Sequence, residues 1–104
     1  MDPEKLQEIA FMIILHSGDA RSLVHEAFAA MREGDFDASA AKLEEANEAL
    51  VNAHKSQTSL LQSFASGEKV VMEVIMVHAQ DHLMTTMTLR EMALEMLALY
   101  KRLG

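Results

Sequence analysis

His78, Asp81 and His82 fall close together in the string Met76-Val77-His78-Ala79-Gln80-Asp81-His82-Leu83-Met84-Thr85. On an α-helix the two histidines lie one turn apart on one face, and Asp81 is three residues from His78, so all three can approach one small volume. Two imidazoles with a nearby carboxylate can bind a transition metal. A single histidine can instead act as a nucleophile and accept a phosphoryl group, with neighbouring polar groups orienting it. The third reading is a pair of solvated helix residues with no chemistry, since i,i+4 histidine pairs arise by chance in a chain with five histidines. Against it, Gln80, Asp81, Thr85 and Thr86 crowd polar groups into a segment otherwise made of Met76, Val77, Leu83, Met84 and Met87. An apolar helix that abruptly carries a polar cluster more often holds a site.

The remaining histidines are weaker candidates. His25 adjoins Glu26 and reads as surface, and His16 precedes a possible kink at Gly18-Asp19. His54, three residues before Gln57, is expected to satisfy a helix contact. Six of the nine methionines lie between positions 72 and 96, which suits core filling or an adaptable docking surface.

Three helices are expected to position these residues. Asp2-Pro3 starts the first, because proline at the first helical position costs no internal hydrogen bond and aspartate suits the cap before it. Leu6, Ile9, Ala10, Ile13, Ile14, Leu23, Ala27, Ala30 and Met31 then recur at helical spacing. The helix is expected to continue through Gly18-Asp19 and stop at Glu33-Gly34-Asp35. The second is expected over about 37–66, with Ala40, Leu43, Ala46, Ala49, Leu50, Ala53, Leu60, Leu61 and Phe64 on its buried stripe. After Ser66-Gly67-Glu68-Lys69, the third is expected over about 70–103. Its β-branched Val70, Val71, Val74, Ile75 and Val77 weaken the first turns.

The third helix carries two stripes. Leu83, Met87, Leu94, Leu97 and Tyr100 suit packing on the other two helices. Val74, Asp81, Thr85, Thr88, Met92, Glu95 and Leu99 form a second line, close to a coiled-coil seam. With no fourth helix available, self-association along this line is expected, its polar positions fixing register and the number of chains.

Composition narrows the class. A chain of 104 residues fits one domain, 1–104, and buries only a modest core alone. Half of it is apolar, with one proline and four glycines, which favours an all-α protein. With no cysteine there is no disulfide framework, zinc-thiolate site or cysteine nucleophile. The formal charge of -7 argues against nucleic acid. No apolar run is long enough to span a bilayer and no signal peptide is recognisable, so membrane insertion is not expected and a cytoplasmic location is.

Val77-His78-Ala79-Gln80-Asp81-His82-Leu83-Met84-Thr85-Thr86 resembles the lactose/cellobiose-type IIA component of the bacterial phosphoenolpyruvate-dependent sugar phosphotransferase system. Gly18-Asp19-Ala20-Arg21-Ser22, Gly34-Asp35-Phe36 and Ala53-His54-Lys55-Ser56-Gln57-Thr58 carry the resemblance across nearly the whole chain. It implies an antiparallel three-helix bundle that forms a homotrimer through the third helix. It also implies a carrier that accepts a phosphoryl group from the phosphocarrier HPr and passes it to a cognate IIB component. A β-linked disaccharide is then phosphorylated as it enters through membrane IIC. By the family motif His78 is the phosphorylated residue, at Nε2, and Asp81 faces its copies at the trimer axis with a shared Mg2+. Gln80 and His82 are accessory candidates for orienting the imidazole or the phosphoryl oxygens. Ala79 stands where the family often has glycine, which favours helix at the site.

The residues accommodate these roles. Three carboxylates on one axis must share a cation, take up protons or destabilise the assembly. A histidine phosphotransfer domain of a two-component relay is a nearby alternative, but it typically places lysine and glycine where Asp81 and His82 stand. A helical metal-binding or scaffold oligomer is the other.

Overall fold

The computed structural model describes all 104 residues and has three helices, α1 Pro3–Arg32, α2 Phe36–Ala65 and α3 Val74–Leu103. The Asp2 side chain caps α1 by accepting a hydrogen bond from the Glu4 amide, with Pro3 at the first helical position. The helix runs unbroken through Gly18. It ends where Gly34 adopts a φ of 81°, a left-handed conformation that closes helices at low cost only for glycine. Asp35 then caps α2 by accepting from the Ala38 amide at 3.1 Å. A 30-residue helix is about 45 Å long, and the molecule measures 52 × 19 × 18 Å. The helices therefore run back and forth along one axis, in an antiparallel bundle.

The third helix begins at Val74, one turn later than its expected start. Residues 70–73 are non-helical and Glu73 is extended, at φ -97° and ψ 158°. Consecutive β-branched Val70 and Val71 lose side-chain freedom in a helix and prefer this conformation. No side chain caps α3.

Of the twenty buried residues, nine are alanine or serine: Ala10, Ser17, Ala20, Ala27, Ser39, Ala46, Ala53, Ala79 and Ala93. Small residues let helix backbones approach closely, so the interior is narrow and larger side chains such as Ile13, Met31, Leu43 and Leu83 fill the gaps. Several expected core residues lie outside as a result. Ala40 and Leu94 are each one residue, about 100° of helix, away from the buried Ser39 and Ala93, and Leu61 is turned out in the same way beside buried Leu60. Phe64 is 68% exposed, also outside the core. Ser39 Oγ donates to the Ala27 carbonyl at 3.0 Å, tying α2 to α1.

Helix α3 packs mainly on α1 and less on α2. It buries Met76, Ala79, Leu83, Thr86, Ala93 and Leu97, and leaves the opposite side uncovered.

Candidate functional site on the third helix

The buried line Met76-Ala79-Leu83-Thr86 anchors the centre of α3 against the bundle, and successive residues turn by about 100° around the helix. His78 and His82 therefore share the flank beside α1. Gln80 and Met84 take the other flank, beside α2, and Asp81 points directly outward. His78 is exposed and His82 half-buried. Their rings meet edge-on, with centroids 6.0 Å apart and planes at 70°.

On the α1 flank, Arg21 reaches across from α1 to two consecutive threonines. Its Nε donates to Thr86 Oγ1 at 3.1 Å and its Nη2 to Thr85 Oγ1 at 2.7 Å. Each threonine hydroxyl also donates back along α3: Thr85 Oγ1 to the Asp81 carbonyl and Thr86 Oγ1 to the His82 carbonyl, both at 2.7 Å. Thr86 Oγ1 also lies 3.4 Å from His82 Nδ1. Thr86 is fully buried, so its own hydrogen bonds have little competition from water. Arg21 has no counterpart among the candidates read from spacing. Its only sequence signal is its place in Gly18-Asp19-Ala20-Arg21-Ser22.

On the α2 flank, Gln57 Nε2 donates to Gln80 Oε1 and contacts Met84 Sδ, while Gln80 Nε2 reaches Met76 Sδ. Gln80 is thus turned toward α2 and away from His78. His54 makes the expected helix contact, its Nδ1 3.4 Å from Thr58 Oγ1. It lines a separate cavity between α2 and α3 with Arg90 and Glu91. His25 is exposed and packs on Phe28, and His16 lines a shallow cleft between α1 and α2.

Asp81 does not join the imidazoles in one pocket, because its position on the helix directs it away from the flank they share. No group of three histidine, cysteine, aspartate or glutamate residues in the chain converges to hold a metal ion. The chain alone therefore offers no site for a transition metal or for Mg2+. The Asp81 carboxylate makes no hydrogen bond or ion pair inside its own chain, and carboxylate oxygen is the ligand type that hard divalent cations take.

Comparison with known proteins places this arrangement. The family model described as "PTS system, Lactose/Cellobiose specific IIA subunit" matches residues 8–101. The lichenan-specific phosphotransferase enzyme IIA component of Bacillus subtilis (strain 168) is 48% identical over 100 residues, covering 96% of this chain and 91% of the relative. The crystal structure of PtcA from S. mutans superposes with a TM-score of 0.96 at 63% identity, covering 97% of this chain and 99% of that one. The IIA(Chitobiose) chain solved with HPr, from the N,N'-diacetylchitobiose branch of the Escherichia coli phosphotransferase system, gives 0.81 at 39% identity. It covers 94% of this chain and 95% of that one. Family match, identity and fold agree over nearly the full length: this chain belongs to the lactose/cellobiose-specific IIA family of the sugar phosphotransferase system.

Proposed function

We propose that this chain is a phosphoryl carrier that accepts the group on His78 from phospho-HPr and passes it to a cognate IIB component. Uptake and phosphorylation of a β-linked disaccharide through membrane IIC would follow, with the carrier in the cytoplasm. The observation that carries this reading is the exposure of His78 on a rigid helix, edge-on to His82, in a chain of this family. A carrier serves two partners with one nucleophile, so its histidine must be open and bordered by adaptable apolar groups. Val77 is exposed next to it in the chain, and Met84 is exposed on the flank beside α2. The relative solved with HPr makes a similar donor reasonable here.

In the transfer step the lone pair of His78 Nε2 attacks phosphorus. The bond from phosphorus to the donor's nitrogen breaks, and its electron pair returns to that nitrogen. The proton on His78 Nδ1 stays in place. A phosphorylated imidazole retains a high transfer potential, so the reverse geometry delivers the group to IIB.

The working form is a homotrimer built through α3. Support comes from the outward line of α3, where Val74 is 86%, Met92 56% and Leu99 51% exposed in the single chain. Three copies of Asp81 would meet on the axis and hold one Mg2+, which when bound supplies the charge neutralisation that three facing carboxylates require.

The test is transfer of label from phosphoenolpyruvate through Enzyme I and HPr to wild type, His78→Ala and His82→Ala. Acid-labile label is expected on wild type and absent from His78→Ala. A folded wild type that takes no label would sink the carrier role and return the chain to a metal-binding or scaffold oligomer.

A further inference from the structure

The proposed chemistry leaves the Arg21–Thr86–His82 network without a purpose, and the network has a definite hydrogen-bond polarity. The Thr86 hydroxyl has one proton, and the 2.7 Å contact to the His82 carbonyl uses it. The Arg21 Nε–H, 3.1 Å away, occupies one lone pair of the same oxygen. The hydroxyl can then meet His82 Nδ1, 3.4 Å away, only as an acceptor through its remaining lone pair. Neutral imidazole carries one proton, so a proton on Nδ1 leaves Nε2 bare. Arg21 enforces the arrangement because a guanidinium only donates, so the hydroxyl cannot turn its proton toward α1.

The geometry points to Arg21 as a positioning residue that, through Thr86, holds His82 as its Nδ1–H tautomer and keeps His82 Nε2 as a hydrogen-bond acceptor beside His78. This inference rests on the carrier reading for its purpose, though not for its geometry. Once a partner draws the two rings together, an acceptor at that place would receive the Nδ1–H of His78. That bond selects the His78 tautomer whose Nε2 lone pair is free to attack phosphorus, and it steadies the proton that stays on Nδ1 after the N–P bond forms. At 6.0 Å between centroids the edge-on rings are longer than a bonded pair, as resting sites commonly are before a partner closes over them.

The experiment uses the full chain with 15N-labelled histidine at about pH 8, above the ordinary histidine titration range. It compares wild type, Thr86→Val, Arg21→Met and Arg21→Lys. Ring 15N shifts should give His82 in wild type a protonated Nδ1 and an unprotonated Nε2. Thr86→Val, which removes the hydroxyl at nearly constant shape, and Arg21→Met should both move His82 toward the Nε2–H form. Arg21→Lys, which still donates, should restore part of the Nδ1–H population. Single-turnover transfer from phospho-HPr should slow by about 10- to 100-fold in the first two variants, with thermal unfolding tracking fold integrity separately. Arg21 is only half-buried, so Arg21→Met keeps the test intact if Thr86→Val misfolds. A wild-type His82 protonated on Nε2 would overturn the proposal. So would a folded variant with a switched tautomer and an unchanged transfer rate. Wild type that takes no label from phospho-HPr would instead defeat the carrier reading, an outcome separable because the ring shifts are read on unphosphorylated protein.

Discussion

At the scale of single residues, the chemistry of this chain separates from its stability. His78 is exposed and makes no hydrogen bond inside the chain, so His78→Ala should remove phosphoryl transfer and change unfolding free energy by less than about 0.5 kcal/mol. Denaturant titration beside the labelling assay checks both halves. Asp81→Asn keeps size and removes charge. Under the trimer reading with a shared Mg2+, the assembly formed by this variant should become indifferent to chelator, whereas wild type should dissociate or lose thermal stability when the divalent ion is stripped; sedimentation with and without EDTA distinguishes them. His78, Asp81 and His82 were legible as candidates because helical spacing and the surrounding motif both single them out. Arg21 was not, because it arrives from a helix more than fifty residues earlier and no local pattern announces a tertiary contact. The joint volume expected for all three site residues also fails at this scale. A step of three residues brings Asp81 near His78 in sequence but turns it toward the outer line.

At the scale of elements, three helices, two breaks and the cap at Asp2 follow from composition and punctuation, while the cap of the second helix is fixed at Asp35 only by the structure. The expected stripes include large apolar residues that lie outside, such as Leu61 and Leu94, and omit small ones that lie inside, such as Ser39, Ala79 and Ala93. Close helix approach rewards the absence of a side chain, which a hydrophobic pattern undercounts. The late start of α3 has the same local character, since β-branched residues at 70 and 71 outweigh the propagation of the helix. Gly34 tests the punctuation. A Cβ there meets nothing within 4 Å, so Gly34→Ala carries only the cost of its positive φ, roughly 1 kcal/mol. Asp35→Ala should cost a similar amount through the lost cap, about 1 kcal/mol, and thermal melts of the two variants read both.

At the scale of the whole molecule, the expectation of a second stripe on α3 meets a matching exposed line, with Val74, Met92 and Leu99 outside and Ala93 and Leu97 inside. Under the trimer reading, Leu99→Glu should shift the protein toward monomer in light scattering while leaving the helical content of each chain in place. The narrow interior has a thermodynamic corollary. With only 20 of 104 residues buried in the single chain, much of the apolar surface that could resist unfolding lies on the outside of α3. If copies of the chain cover it, unfolding becomes coupled to dissociation and the melting temperature depends on protein concentration by mass action. Dilution would then act on this protein as a mild denaturant, and a carrier expressed at low copy number would be limited by its own assembly before it was limited by its donor.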